Sequence, residues 1–137
     1  MRKIIVVKVL LFDKQGQLLL VRRSKTAPRR PLEWDFPGGF VDDEDESFQH
    51  AALREVAEET GLKVQDNHLE LAFAESDKRL SGDEMSDVSW LYFKGVVKDR
   101  DVNLSFEHDR ATWVSLQEAS ELIKYDTQLR AIAYLQR

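Results

Sequence analysis

The chain has 137 residues, no cysteine and a formal net charge of −5. Its length suits one globular domain spanning residues 1–137. The missing cysteines exclude disulfides and thiolate metal sites, and they agree with a cytoplasmic setting. The acidic balance argues against long nucleic acid as a partner. It leaves room for a small anion held by a local basic patch or a metal. No run of 18 apolar residues is present, so no membrane-spanning helix is expected.

Ile4 to Phe12 is rich in Ile, Val and Leu and reads as a buried strand. Behind Met1-Arg2-Lys3 it has the look of a signal peptide. Lys8 interrupts the apolar stretch, however, and no small-residue cleavage site follows. Asp13-Lys14-Gln15-Gly16 is a turn, and Gln17 to Ser24 reads as the returning strand of a β-hairpin. Lys25 to Glu33, with two prolines and two arginines, reads as a loop. Trp34 to Val41 is a short strand broken by Pro37-Gly38-Gly39. Asp42 to Glu46 is a run of five acids, the pattern of a solvated loop.

A helix is expected from about Ser47 to Thr60, with Ser47 as N-cap and Gly61 as the residue that stops it. Leu53, Val56, Ala57 and Thr60 form its expected sheet-facing side. Leu69 to Glu75 and Val88 to Val97 read as strands, joined by a long polar turn from Ser76 to Asp87. Thr112 to Ser115 is a short strand before a helix near Leu116 to Ile123. Asp126 is the expected cap of a last helix, Thr127 to Gln136. A mixed sheet with one central helix and two C-terminal helices predicts an α/β sandwich.

Glu55, Glu58 and Glu59 stand at i, i+3 and i+4, which places them on one side of the central helix. Three neighbouring carboxylates repel one another. Hard divalent cations choose oxygen ligands, and binding one would offset that repulsion. His50, His68 and His108 are scattered and show no zinc-ligand spacing. His108 reads as solvated or hydrogen-bonded.

From Gly39 to Leu62 the chain resembles the signature of the Nudix hydrolase family, G-x5-E-x7-R-E-U-x-E-E-x-G-U, with U a bulky aliphatic. Arg54, Glu55, Val56, Glu58, Glu59, Gly61 and Leu62 match the second half, and Glu46 stands seven residues before Arg54. Six residues rather than five separate Gly39 from Glu46. A register through Asp45 restores that gap and spoils the next one. Glu46 is preferred, with the extra residue placed in the acidic loop. Trp34-Asp35-Phe36-Pro37-Gly38-Gly39 before the box agrees with the resemblance.

The resemblance implies a Nudix-type α/β/α sandwich that hydrolyses a nucleoside diphosphate linked to another group, with Mg²⁺ or Mn²⁺ as cofactor. It implies Glu55, Glu58 and Glu59 as metal ligands, with the Gly38 carbonyl as a further one. Glu107, separated from Trp113 by five residues, resembles the family's loop glutamate that reaches the metal site. Glu58 and Glu107 are the candidates for taking the water proton. Arg54 is expected to orient a glutamate and to pair with Glu46. Arg22 and Arg23 face opposite ways on their strand, and Arg23 is the choice for substrate phosphate.

Substrate identity is less legible. ADP-ribose hydrolases of the family often carry a proline about fifteen residues after the box, and dinucleoside polyphosphate hydrolases a tyrosine. This chain has no proline after Pro37, and no tyrosine between the box and Tyr92. Its short build is closest to nucleoside triphosphate pyrophosphohydrolases of the MutT type, in which a polar residue near the last helix helps to read the base. Asp126 falls there. The alternatives are an inactive nucleotide-binding or regulatory module, or a hydrolase of a nucleotide sugar or dinucleotide. An isomerase of the same fold typically needs a cysteine, which is absent. The expected partner is a small nucleotide, and the expected state a monomer or homodimer.

Overall fold

The computed structural model describes residues 1–137. Seven strands and three helices follow one another: β1 (Arg2–Phe12), β2 (Leu18–Arg23), β3 (Trp34–Asp35), β4 (Gly38–Phe40), α1 (Phe48–Thr60), β5 (Glu70–Ser81), β6 (Glu84–Val96), β7 (His108–Val114), α2 (Leu116–Leu122) and α3 (Asp126–Leu135). One mixed sheet runs β3-β2-β1-β6-β5, with β4 added to β1 and β7 to β2. β1 lies parallel to β6 along its whole length, from Arg2 opposite Ser86 to Phe12 opposite Val96. The other pairings are antiparallel.

β1 is buried on both faces, which explains its nearly continuous apolar run. Val7, Val9 and Leu11 join Ala51, Ala52 and Val56 of α1 in one core. Leu10, with Ile4, Val6 and Phe12 beside it, joins Phe36, Tyr92, Ala131 and Ile132 in a second core under α2 and α3. Period-two alternation of one strand thus builds both sides of an α/β/α sandwich. No helix is long and apolar enough to cross a membrane.

The expected β1–β2 hairpin is only partly formed. The two strands pair at Phe12 and Leu18 and then separate. β2 turns instead to β7, from Leu18 opposite Val114 to Arg23 opposite His108. The segment Trp34 to Phe40 fills the opening between them. β3 pairs with β2, β4 pairs with β1, and the Pro37 carbonyl accepts the Val9 N–H at 2.8 Å. The crossing is possible because Gly38 has no side chain. A Cβ there would lie 2.1 Å from the Val7 carbonyl oxygen, and its φ is +154°.

The expected polar turn from Ser76 to Asp87 is mostly strand. β5 and β6 pair up to Ser81 opposite Glu84, with Gly82 at the tip. Ser76 bonds Ser89, and exposed ladder positions tolerate such polar residues. At α1, Ser47 accepts the His50 N–H at 3.0 Å, and Gly61 ends the helix at φ 70°. The sheet-facing side differs from the expected one. Ala51, Ala52, Val56, Glu59 and Thr60 are buried, whereas Ala57 is exposed. Glu59 therefore lies on the side that packs against the sheet.

Gly38→Ala is expected to destabilise the protein by about 3 kcal/mol or more, because backbone would have to move. Urea unfolding of the variant beside the parent checks this.

Candidate active site

The N–H of Gly38 donates to Glu59 Oε1 at 3.0 Å, which joins α1 to the Pro-Gly-Gly turn. Glu59 is 5% exposed. Burial pushes its pKa up to about 8, despite Lys8 and the Gly38 N–H acting in the opposite direction. Glu55 lies beside it, with its carboxylate against the α-carbon of Gly39. A Cβ on Gly39 would be 2.7 Å from Glu55 Oε1. Burial also raises the Glu55 pKa, and the nearby Glu58 charge adds to the rise. Glu58 projects outward, with 58% of its side chain exposed.

Arg54 organises the outer part of the site. Its Nε and Nη2 grip the two Asp45 oxygens at 2.9 and 2.8 Å. Its Nη1 reaches Glu55 at 3.1 Å and Glu58 at 3.3 Å. The expected partner, Glu46, is exposed and makes no ion pair with it. Asp45 takes that place because the loop closes early. The Asp45 N–H bonds the Asp42 carbonyl, and the Asp42 N–H bonds the Asp45 carboxylate. That turn aims Asp45 at the helix and leaves Glu46 in solvent. The Arg54 hydrogen bonds hold the Asp45 carboxyl well below the usual range.

The other side of the site is built on Asp35, which is fully buried. Lys8 Nζ and Arg23 Nη1 each lie 3.1 Å from its carboxylate. Gln128 Nε2 donates to it at 2.6 Å, and Arg30 stands at 3.8 Å. Burial acts to raise the Asp35 pKa, but Lys8, Arg30 and Arg23 outweigh it and hold the group at about 2. Arg22 points the opposite way and pairs with Asp109 at 2.8 Å, as strand alternation requires.

Glu107 is brought to the same end of the sheet through its backbone. Its carbonyl accepts the Ser24 N–H, while Asn103 and Ser105 of the same loop bond the carbonyls of Thr60 and Glu59. The Glu107 residue is exposed. His108, expected to be solvated or hydrogen-bonded, is buried with its Nδ1 unpartnered, and burial lowers its pKa to about 4. Asp126 does not cap the last helix. It is the first helical residue, and its carboxylate pairs with Arg79 at 3.0 Å and Arg130 at 3.8 Å.

Sequence spacing does not single out Lys8, Asp35 and Gln128 as site residues, and it offers Asp45 only as the alternative register to Glu46. Lys8 and Asp35 had a readable signal, since each is a single charge amid apolar strand residues and they carry opposite signs.

No three acidic or histidine side chains stand together at metal-ligand spacing in this arrangement. The donor set still fits a hard divalent cation. Glu55 and Glu59 are adjacent, screened from water and driven toward protonation, so a cation would be bound in exchange for a proton. Glu58, paired with the same arginine, would have to swing inward to add a third carboxylate. Gly38 contributes its N–H to Glu59 and so positions that carboxylate.

The chain belongs to the Nudix family: the NUDIX domain model matches residues 2–135. An RNA pyrophosphohydrolase of Caulobacter vibrioides is 50% identical over 56 residues, which is 41% of this chain and 31% of that protein. The peroxisomal coenzyme A diphosphatase ndx-8 of Caenorhabditis elegans is 41% identical over 69 residues, 47% of this chain and 30% of that protein. These matches span about a third of each relative's length. A MutT protein from Methanosarcina mazei Go1 has a TM-score of 0.82 at 29% identity, covering 99% of this chain and 94% of that one.

The Glu59 environment predicts a pH dependence. Its folded pKa lies above that of an unfolded glutamate, so the metal-free folded state binds the extra proton. Its stability therefore falls as pH rises from about 4.5 to 8. Glu59→Gln should remove that slope and raise metal-free stability at pH 8 by about 1–3 kcal/mol. Thermal and urea unfolding between pH 5 and 8.5, in chelator, measure it.

Proposed function

We propose that this protein is a divalent-metal-dependent hydrolase of a nucleoside diphosphate linked to a further group. Within that class we propose a nucleoside triphosphate pyrophosphohydrolase. The observation that carries the reading is the pairing of half-buried Glu55 with buried Glu59, with Arg54 on one flank and the Arg23–Lys8–Asp35 cluster on the other. Carboxylates for a cation beside a basic group for phosphate is what a diphosphate ester needs. The names of the relatives, a pyrophosphohydrolase and a diphosphatase, agree with this linkage.

A bound Mg²⁺ or Mn²⁺ would neutralise the diphosphate and polarise its oxygens. Glu55, Glu58 and Glu59 would hold it, with Glu107 and the Gly38 carbonyl as further donors. Arg23 holds a substrate phosphate and limits its rotation. Water attacks one phosphorus in line. The bridging P–O bond breaks, and the leaving phosphate keeps the electron pair. Glu58 and Glu107 are the candidates for taking the water proton, since both are exposed to solvent. Arg54 draws Glu55 and Glu58 toward one another and keeps their repulsion from splaying the site.

Asp126 supports the nucleotide assignment. It offers an acceptor beside the Arg79 donors, and Arg79 lies over the rings of Trp90 and Tyr125. A donor and acceptor next to aromatic rings suit the edge of a nucleobase.

Product release from a panel of nucleoside triphosphates, nucleotide sugars and dinucleotides, with Mg²⁺ and then Mn²⁺, tests the proposal. Turnover of a triphosphate to monophosphate and pyrophosphate is expected. A folded protein that turns over none of them contradicts it. Glu58→Gln should lower kcat by about a thousandfold with folding unchanged, as read by steady-state kinetics and circular dichroism.

A further inference from the structure

Arg23 is held at two points before any substrate arrives. Its Nε donates to the Arg29 carbonyl at 2.9 Å, and its Nη1 to Asp35 at 3.1 Å. Those bonds leave Nη2 uncommitted on a side chain that keeps 22% of its surface in water. Lys8 Nζ lies 3.1 Å from both oxygens of the same carboxylate, and the Lys8 stem packs on Gly38. A Cβ on Gly38 would meet Lys8 Cδ at 2.9 Å. Gly38 is the residue whose N–H fixes Glu59. A third contact, from Gln128, ties the carboxylate to α3. One buried carboxylate therefore touches the phosphate arginine, the residue beneath the glutamate platform and the last helix.

We infer that Asp35 is a positioning residue for the hydrolytic reaction: it clamps Arg23 in register with the Gly38–Glu59 contact, so that the substrate diphosphate meets an arginine already aimed. The inference rests on the hydrolase reading above and deepens it. A free arginine has many rotamers, and ordering it at the moment of binding weakens affinity. Anchoring it beforehand removes that loss. Stability alone is a poor reason for this carboxylate, because a buried ion pair gains little over an apolar pair of similar volume.

The test compares the parent, Asp35→Asn, Arg23→Ala and the double variant on the best nucleotide substrate of the panel. In Asp35→Asn, KM should rise about tenfold or more while kcat stays within about threefold. In the Arg23→Ala background the same change should alter KM by less than about twofold, because the arginine it positions is gone. A residue that only supports the fold would leave KM unchanged or give effects that multiply, and either result overturns the inference. If Asp35→Asn does not fold, Lys8→Met/Asp35→Asn removes one charge of each sign and preserves the balance. The same rise in KM is expected from it.

A second readout needs no substrate. Heteronuclear NOEs of the Arg23 Nε–H should report a rigid side chain in the parent and a mobile one in the Asp35 variants. An equally rigid Arg23 in those variants overturns the inference. A parent that hydrolyses no nucleotide sinks the hydrolase reading itself, and the NOE then still decides whether Asp35 fixes Arg23.

Discussion

The hydrogen bond from the Gly38 amide to the Glu59 carboxyl is the contact on which the site depends. It ties the box helix to the turn that crosses between the two diverging strands. To make it, the helix must turn Glu59 toward the sheet, and that rotation brings Glu55 over Gly39. Both glycines are needed for their missing side chains, one against the Val7 carbonyl and one against the Glu55 carboxylate. The cost of burying Glu59 appears as its raised pKa. A site strained in this direction favours an arriving cation, because the cation restores the charge that burial disfavours.

Two clusters of opposite character flank that contact. On the outer side, the Arg54 fork gathers Asp45, Glu55 and Glu58, an excess of carboxylates around one guanidinium. On the inner side, Asp35 gathers Lys8, Arg23 and Arg30, an excess of cations around one carboxylate. The acidic cluster suits a metal and the basic one a phosphate. A divalent cation and a diphosphate placed between them would each meet charge of the opposite sign. Residues 35–38 join the two clusters, running from Asp35 to the Gly38 N–H that meets Glu59.

Local rules revealed much of this in the sequence. The helix and its two ends followed from Ser47 and Gly61, and the sandwich from the order of strands, one central helix and two C-terminal helices. Alternation correctly sent Arg22 and Arg23 to opposite faces. The misses share a cause. The β1–β2 hairpin, the Arg54–Asp45 pair and the burial of His108 are set by tertiary contacts that sequence spacing does not encode. Spacing favoured Glu46, whereas a turn at Asp42–Asp45 decided for its neighbour. A helical wheel put Ala57 inside, whereas the Gly38 contact rotated the helix to bury Glu59.

Burial of Glu59 favours its protonated form, and a divalent cation bound to the box helix would displace that proton. Calorimetric titration of Mg²⁺ or Mn²⁺ into the protein at pH 7, repeated in buffers of different ionisation enthalpy, counts protons released on binding. Release of about one proton per binding event is predicted, vanishing in Glu59→Gln. Binding with no proton release, or no binding at all, would contradict it.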